Sequence, residues 1–107
     1  MFKEHDEYGY EAVIEKIVRK TLVYGEKTLL TEFRLEKGAV LPVHKHSNEQ
    51  TGYLVSGRMA LTIGDKEYEV NPGDSWCIPG DEDHSAIVTE DSVAIEVFSP
   101  VREDYLP

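Results

Sequence analysis

A single cysteine, Cys77, excludes an internal disulfide. A chain of 107 residues can build one core, so extra stability would have to come from a bound metal or a partner subunit. No segment is apolar for long enough to span a bilayer. The start, Met1-Phe2-Lys3-Glu4-His5-Asp6-Glu7, lacks a basic stretch leading into an apolar run, so no secretory leader is expected and the cytoplasm is the simplest location. Positive charge is scarce: 11 Lys and Arg stand against 21 Asp and Glu, a net charge of −10 that repels nucleic acid and anionic membranes. With no spaced Asp/Asn loop of the EF-hand kind, the acidity reads as a solvated surface. There is no internal repeat, low-complexity stretch or linker. Residues 1–107 are expected to form one domain, with 1–24 an N-terminal segment and 28–107 the main body.

What the sequence does have is turn chemistry at short intervals: Gly25-Glu26, Lys37-Gly38, Ser56-Gly57, Gly64-Asp65, Asn71-Pro72-Gly73-Asp74, Pro79-Gly80-Asp81 and Glu90-Asp91. Between these, residues alternate with period two. Met59, Leu61 and Ile63 alternate with smaller or polar neighbours, and Val93, Ile95 and Val97 oppose Ala94, Glu96 and Phe98. Strands are likewise predicted over Lys20–Tyr24, Thr28–Leu35, Gln50–Val55, Lys66–Val70, Ser75–Ile78 and His84–Val88. Many short strands between turns imply an all-β sandwich or barrel. Tyr10 to Val18 fits either a short helix or an N-terminal strand. Cys77, between Trp76 and Ile78, reads as a buried or half-buried small side chain with no activating base beside it.

His44 and His46 flank Lys45, and in an extended segment that spacing puts both imidazoles on one face. Alone, the pair is a weak signal for a metal. Its neighbours strengthen it: Gly38 precedes His44 by six positions, Gln50 follows His46 by four, and Gly57 follows Gln50 by seven. A second cluster runs Gly73, Asp74-Ser75-Trp76-Cys77-Ile78, Pro79 and then His84 five residues on.

The two clusters, in this order, resemble the paired motifs of the cupin superfamily from about Thr28 to the C-terminus. The resemblance implies an all-β double-stranded β-helix, a jelly-roll barrel. It also implies one divalent metal ion (Zn, Ni, Mn or Fe) held by His44, His46, Gln50 and His84 on inward faces. The alternative, a barrel whose histidines hold no ion, buries three converging imidazoles at a cost. The family usually has glutamate where this chain has Gln50, and a neutral amide leaves a more positive site and a stronger Lewis acid. Glu49 would serve charge better, but it sits one place too far from Gly57 and on the opposite face once the strand has begun. Asp81 stands where the family has glycine, with Gly80 one place early, and Val88 where asparagine is common.

On the last strand, Glu96 and Phe98 share a face, and Arg102 follows Ser99-Pro100. The stretch from Glu96 to Leu106 is similar to the tail of the pectin-degradation cupins, in which an acid, a phenylalanine and an arginine surround a metal held by two His, a Gln and a third His. This chain matches at Phe98, Arg102 and the four ligand positions, and departs at Glu96, where that family has aspartate. The resemblance implies isomerisation of an unsaturated uronate to a linear keto acid. Glu96 would move the proton, Arg102 would grip the substrate carboxylate and Phe98 would wall the pocket. A structural Glu96–Arg102 bridge, or Arg102 as a rim residue, are the bland alternatives. Asp81-Glu82-Asp83, beside His84, would oppose an anionic substrate if they faced the mouth. A cupin dioxygenase and a non-catalytic small-ligand binder are competing functions, the latter having no need of Glu96 in the cavity. A homodimer is also expected, with Tyr10 to Tyr24 the segment that would meet a partner.

Overall fold

A computed structural model describes all of residues 1–107. Eight strands follow one another: β1 (Glu11–Ile14), β2 (Ile17–Tyr24), β3 (Leu29–Leu35), β4 (Val40–His44), β5 (Glu49–Ile63), β6 (Lys66–Val70), β7 (Ser75–Ile78) and β8 (His84–Ser99), with a short 3₁₀ turn at Glu103–Tyr105. Every strand pairing is antiparallel, and the order β1-β2-β3-β8-β5-β6, with β4 on β8 and β7 on β5, wraps a jelly-roll barrel. The segment Tyr10 to Val18 is strand and turn, not helix. Its β-branched Val13, Ile14, Ile17 and Val18 suit a pleated surface, and Lys16 makes the tight turn at φ +69°.

The long pair β5·β8 is the spine, running from Glu49↔Ser99 to Ile63↔His84. Here the structure departs from the strand boundaries expected. Ser56-Gly57 and Glu90-Asp91 do not reverse the chain; they bend two continuous strands around a corner of the barrel, with irregular register between Leu54 and Met59. Gly57 sits at φ +95°, and a Cβ there would lie 2.1 Å from Ser92 Oγ and 2.4 Å from the Asp91 carbonyl. The corner therefore demands glycine for conformation and for space alike. Ser92 completes it, accepting from the Arg58 amide at 3.1 Å and donating to the Glu90 carbonyl at 2.7 Å.

Inside, Ile17, Leu29, Leu54, Met59, Leu61, Val88 and Phe98 are buried together. Each such side chain contributes about 1.5–3 kcal/mol by leaving water. Outside, part of the acidic N-terminus is tied to the sheet. Lys20, only 3% exposed, donates to the Asp6 carbonyl at 3.0 Å and to its carboxylate at 2.5 Å. Arg34 bridges Glu7 and Glu32, while Tyr10 donates to Glu32 at 2.6 Å and has its phenol pushed up to about 12 by burial and that neighbouring carboxylate. His5 stays exposed. Cys77 is exposed as well, contrary to expectation, because β7 turns Trp76 and Ile78 inward and the residue between them outward.

Candidate metal centre

Two strands and the loop between β4 and β5 deliver the histidines to one end of the barrel. His44 ends β4 and lies opposite His84, the first residue of β8, while His46 stands in the loop entering β5. Their rings are 4.1 Å (His44–His84), 5.1 Å (His46–His84) and 6.0 Å (His44–His46) apart between centroids, and one nitrogen from each falls within 4.8 Å of the others. Two loops are stitched together to achieve this. Asp81 donates its amide to the His46 carbonyl at 2.7 Å, and a Cβ on Gly80 would lie 2.4 Å from the Ser47 carbonyl. Asp81 itself takes φ +62°, a left-handed conformation that glycine adopts freely and that aspartate tolerates better than most residues.

Each imidazole faces a backbone carbonyl with Nδ1: His44 with Pro42 at 2.9 Å, His46 with Asn48 at 3.0 Å and His84 with Glu82 at 2.9 Å. A carbonyl only accepts, so Nδ1 carries the proton and Nε2 is left with its lone pair. His84 Nε2 is buried with no hydrogen-bond partner at all. Gln50, also buried, donates its Nε2 to Glu96, and that bond turns the Gln50 Oε1 toward His46 Nε2 at 3.0 Å. His46 is thus flanked by two acceptors, which a neutral ring with one N–H cannot satisfy. Burial and Arg102 both hold the His46 pKa below its ordinary value, so a second ring proton is not the remedy. Burial lowers His84 in the same way. The donor set, two or more unprotonated imidazole nitrogens and an amide oxygen aimed at one point, fits a borderline divalent cation.

Beyond the histidines, Glu96 is 8% exposed and points into the cavity, where its Oε1 accepts from Gln50 and, at 3.0 Å, from Trp76 Nε1. Burial raises its carboxyl above the usual range, against the two donors and Arg102, which pull the other way. Phe98 stacks edge-on to His46 at 5.7 Å and to Tyr105 at 5.4 Å. Arg102 also lines the cavity. It makes no bridge to Glu96: its Nε and one terminal nitrogen hold Asp104 at 3.2 and 2.8 Å, and the other donates to the Tyr105 hydroxyl at 3.0 Å. Asp81, Glu82 and Asp83 do not line the cavity.

The seven residues singled out from the sequence thus line one cavity, and two further side chains join them. Alternation puts Trp76 on the same face of its strand as Ile78, but does not say that this face turns inward. Tyr105 stands three residues after Arg102, the spacing at which one turn of helix brings side chains together.

The cupin domain family matches residues 31–99. The pectin degradation protein KdgF of Dickeya dadantii is 29% identical over 103 residues, covering 94% of each chain. The H2HPP isomerase of Bacillus subtilis is 34% identical over 67 residues, 61% of this chain but 28% of that longer protein. Among solved structures, KdgF from Halomonas sp. superposes with a TM-score of 0.93 at 30% identity, over 99% of this chain and 100% of that one. An RmlC-like cupin from Shewanella frigidimarina gives 0.87 at 28% identity, over 97% of both. No helix is long and apolar enough to cross a membrane. With barrel, paired motifs and relatives in agreement over the body of the chain, the protein belongs to the cupin family and is KdgF-like.

Proposed function

We propose that this cupin is a metal-dependent isomerase that opens an unsaturated uronate, or a closely related sugar acid, to a linear keto acid. The observation that carries the reading is a carboxylic acid, Glu96, buried in the same cavity as three converging imidazoles, with an arginine beside it. A mere ligand carrier has no need of a proton-transfer group there. The naming of KdgF as a pectin degradation protein, and of a second relative as an isomerase, supports the same chemistry.

His44, His46, Gln50 and His84 would hold the divalent ion, which when bound polarises a substrate oxygen and lowers the cost of negative charge on it. Arg102 binds the substrate carboxylate, after exchanging its hold on the exposed Asp104. Phe98 and Tyr105 offer apolar faces to the ring. Glu96 takes the proton from the anomeric hydroxyl as the ring C–O bond breaks, leaving an aldehyde and an enolate, and returns that proton to the carbon that becomes saturated, so that the enolate oxygen ends as a ketone. Substrate and product are isomers, so no further reactant is required.

The reading extends to a homodimer: β1 is an edge strand with mostly exposed residues, a surface that a second copy could cover. Sedimentation analysis of the purified protein tests this part separately.

The decisive test is metal analysis by mass spectrometry, followed by assay of metal-loaded wild type and Glu96→Gln on 4,5-unsaturated galacturonate. Loss of the ultraviolet absorbance of the conjugated double bond is expected with wild type alone. Bound metal without turnover of any unsaturated uronate would end the substrate assignment.

A further inference from the structure

Glu96 lies in a single row that crosses three strands. Gly52 of β5 pairs with Trp76 of β7 on one side and with Glu96 of β8 on the other. Two inter-strand steps separate β7 from β8, roughly 9.5 Å, and few side chains bridge that span with a hydrogen bond at the far end. The indole does so because nothing stands in its way. A Cβ built on Gly52 would lie 2.2, 2.3 and 2.4 Å from three atoms of the Trp76 ring. A rigid ring atom cannot yield as a flexible chain end would, so any residue but glycine would evict the indole from this lane.

At the end of the lane, Trp76 Nε1 meets Glu96 Oε1 at 3.0 Å, and Gln50 Nε2 reaches the same oxygen. The Glu96 backbone is held too, its carbonyl accepting from Thr31 Oγ1 at 3.0 Å. Both side-chain donors therefore converge on Oε1. No protein group donates to Oε2, and Glu96 lines the cavity.

We infer that Trp76, lying over the bare backbone of Gly52, is a positioning residue that locks Oε1 of Glu96 and so presents Oε2 alone to the substrate. This rests on the reading of Glu96 as the proton carrier. Indole suits the task because its N–H only donates: it cannot take the proton that Glu96 moves, nor rotate to offer a lone pair. Gln50 supplies the second donor, so the amide that faces the histidines with its oxygen also steadies the acid with its nitrogen.

Two measurements test the inference. Trp76 is the only tryptophan in the chain, so a proton–nitrogen correlation spectrum of the metal-free protein contains one indole N–H signal. Glu96→Ala is expected to move that signal strongly while resonances outside the row stay in place. An unmoved signal would overturn the contact. In kinetics, Trp76→Phe keeps a smaller aromatic ring at this position and deletes the N–H. It is expected to lower kcat about tenfold to a hundredfold, with KM within about twofold, as misplacement of a reacting group does. Combined with Glu96→Gln, it should cost nothing more, because the lock acts only through the acid. Wild-type kcat in Trp76→Phe beside an inactive Glu96→Gln would overturn the positioning role alone. Full activity in Glu96→Gln would overturn both that role and the proton-carrier reading.

Discussion

The two faces of β8 beyond its bend carry opposite chemistry, and not in the usual sense. Outward stand Val93, Ile95 and Val97, all apolar and only half-buried, beside Leu30, Glu32 and Arg34 of β3. Inward stand Ser92, Ala94, Glu96 and Phe98, all buried, including a small residue, a hydroxyl and a carboxylic acid. Ranking faces by hydrophobicity would turn the strand inside out. The inner face tolerates polar groups because cross-strand partners satisfy them: Ser92 at the Gly57 corner, Glu96 through Gln50 and Trp76. The outer face uses β-branched residues that favour an extended chain wherever they sit.

The sharpest way to break this contrast is Glu96→Gln. Activity should fall about 10²–10⁴-fold, the range for loss of a positioned acid or base, while thermal stability at neutral pH should rise. The sign follows from burial, which raises the Glu96 pKa in the fold above its unfolded value. Its contribution to stability is present below the unfolded pKa and is lost as pH rises through the folded one. The melting temperatures of wild type and variant should thus converge in acid and separate toward neutral pH.

His84→Ala should weaken metal binding by more than the roughly 10–100-fold that follows loss of an outer partner, as read by metal content after dialysis. The histidines carry the opposite pH signature. Burial lowers the pKa of His46 and His84 in the fold, so the unfolded chain takes up protons first, and the metal-free protein should lose stability as pH falls through the ordinary imidazole range. Thermal melts across that range check it.

Comparing Phe98→Ala with Ile95→Ala measures the two faces directly. The inner substitution should cost about 3–5 kcal/mol, as for a fully buried aromatic, and the outer, half-buried one clearly less, both by chemical denaturation. The smallest effect is expected at Asp104→Asn, which frees Arg102 from an exposed internal carboxylate. KM for a carboxylate substrate should fall by no more than about fivefold, since an exposed pair is weak.

Residues close together in sequence were the most legible. His44, His46 and Gln50 announce themselves by spacing, as do the glycines and prolines at the loop before His84. Where the sequence misled, contacts from distant strands had intervened. Ser56-Gly57 and Glu90-Asp91 have turn chemistry, but β5 and β8 pair along both sides of the corner and carry the chain through it. Cys77 lies on an apolar-looking strand, yet which way β7 faced could be settled only by Trp76 docking over Gly52.

The sequence by itself determined the all-β class and the barrel family, and singled out the residues of the candidate metal centre, because strand period, turn residues and motif spacing are local properties of the chain. Only the tertiary structure decided that Glu96 is held by Trp76 and not by Arg102, that Arg102 is engaged by Asp104 and Tyr105, and that Nε2 of His84 stands buried without a partner. Those facts depend on which strands lie side by side and in what register, and cross-strand neighbours are separated in sequence by tens of residues.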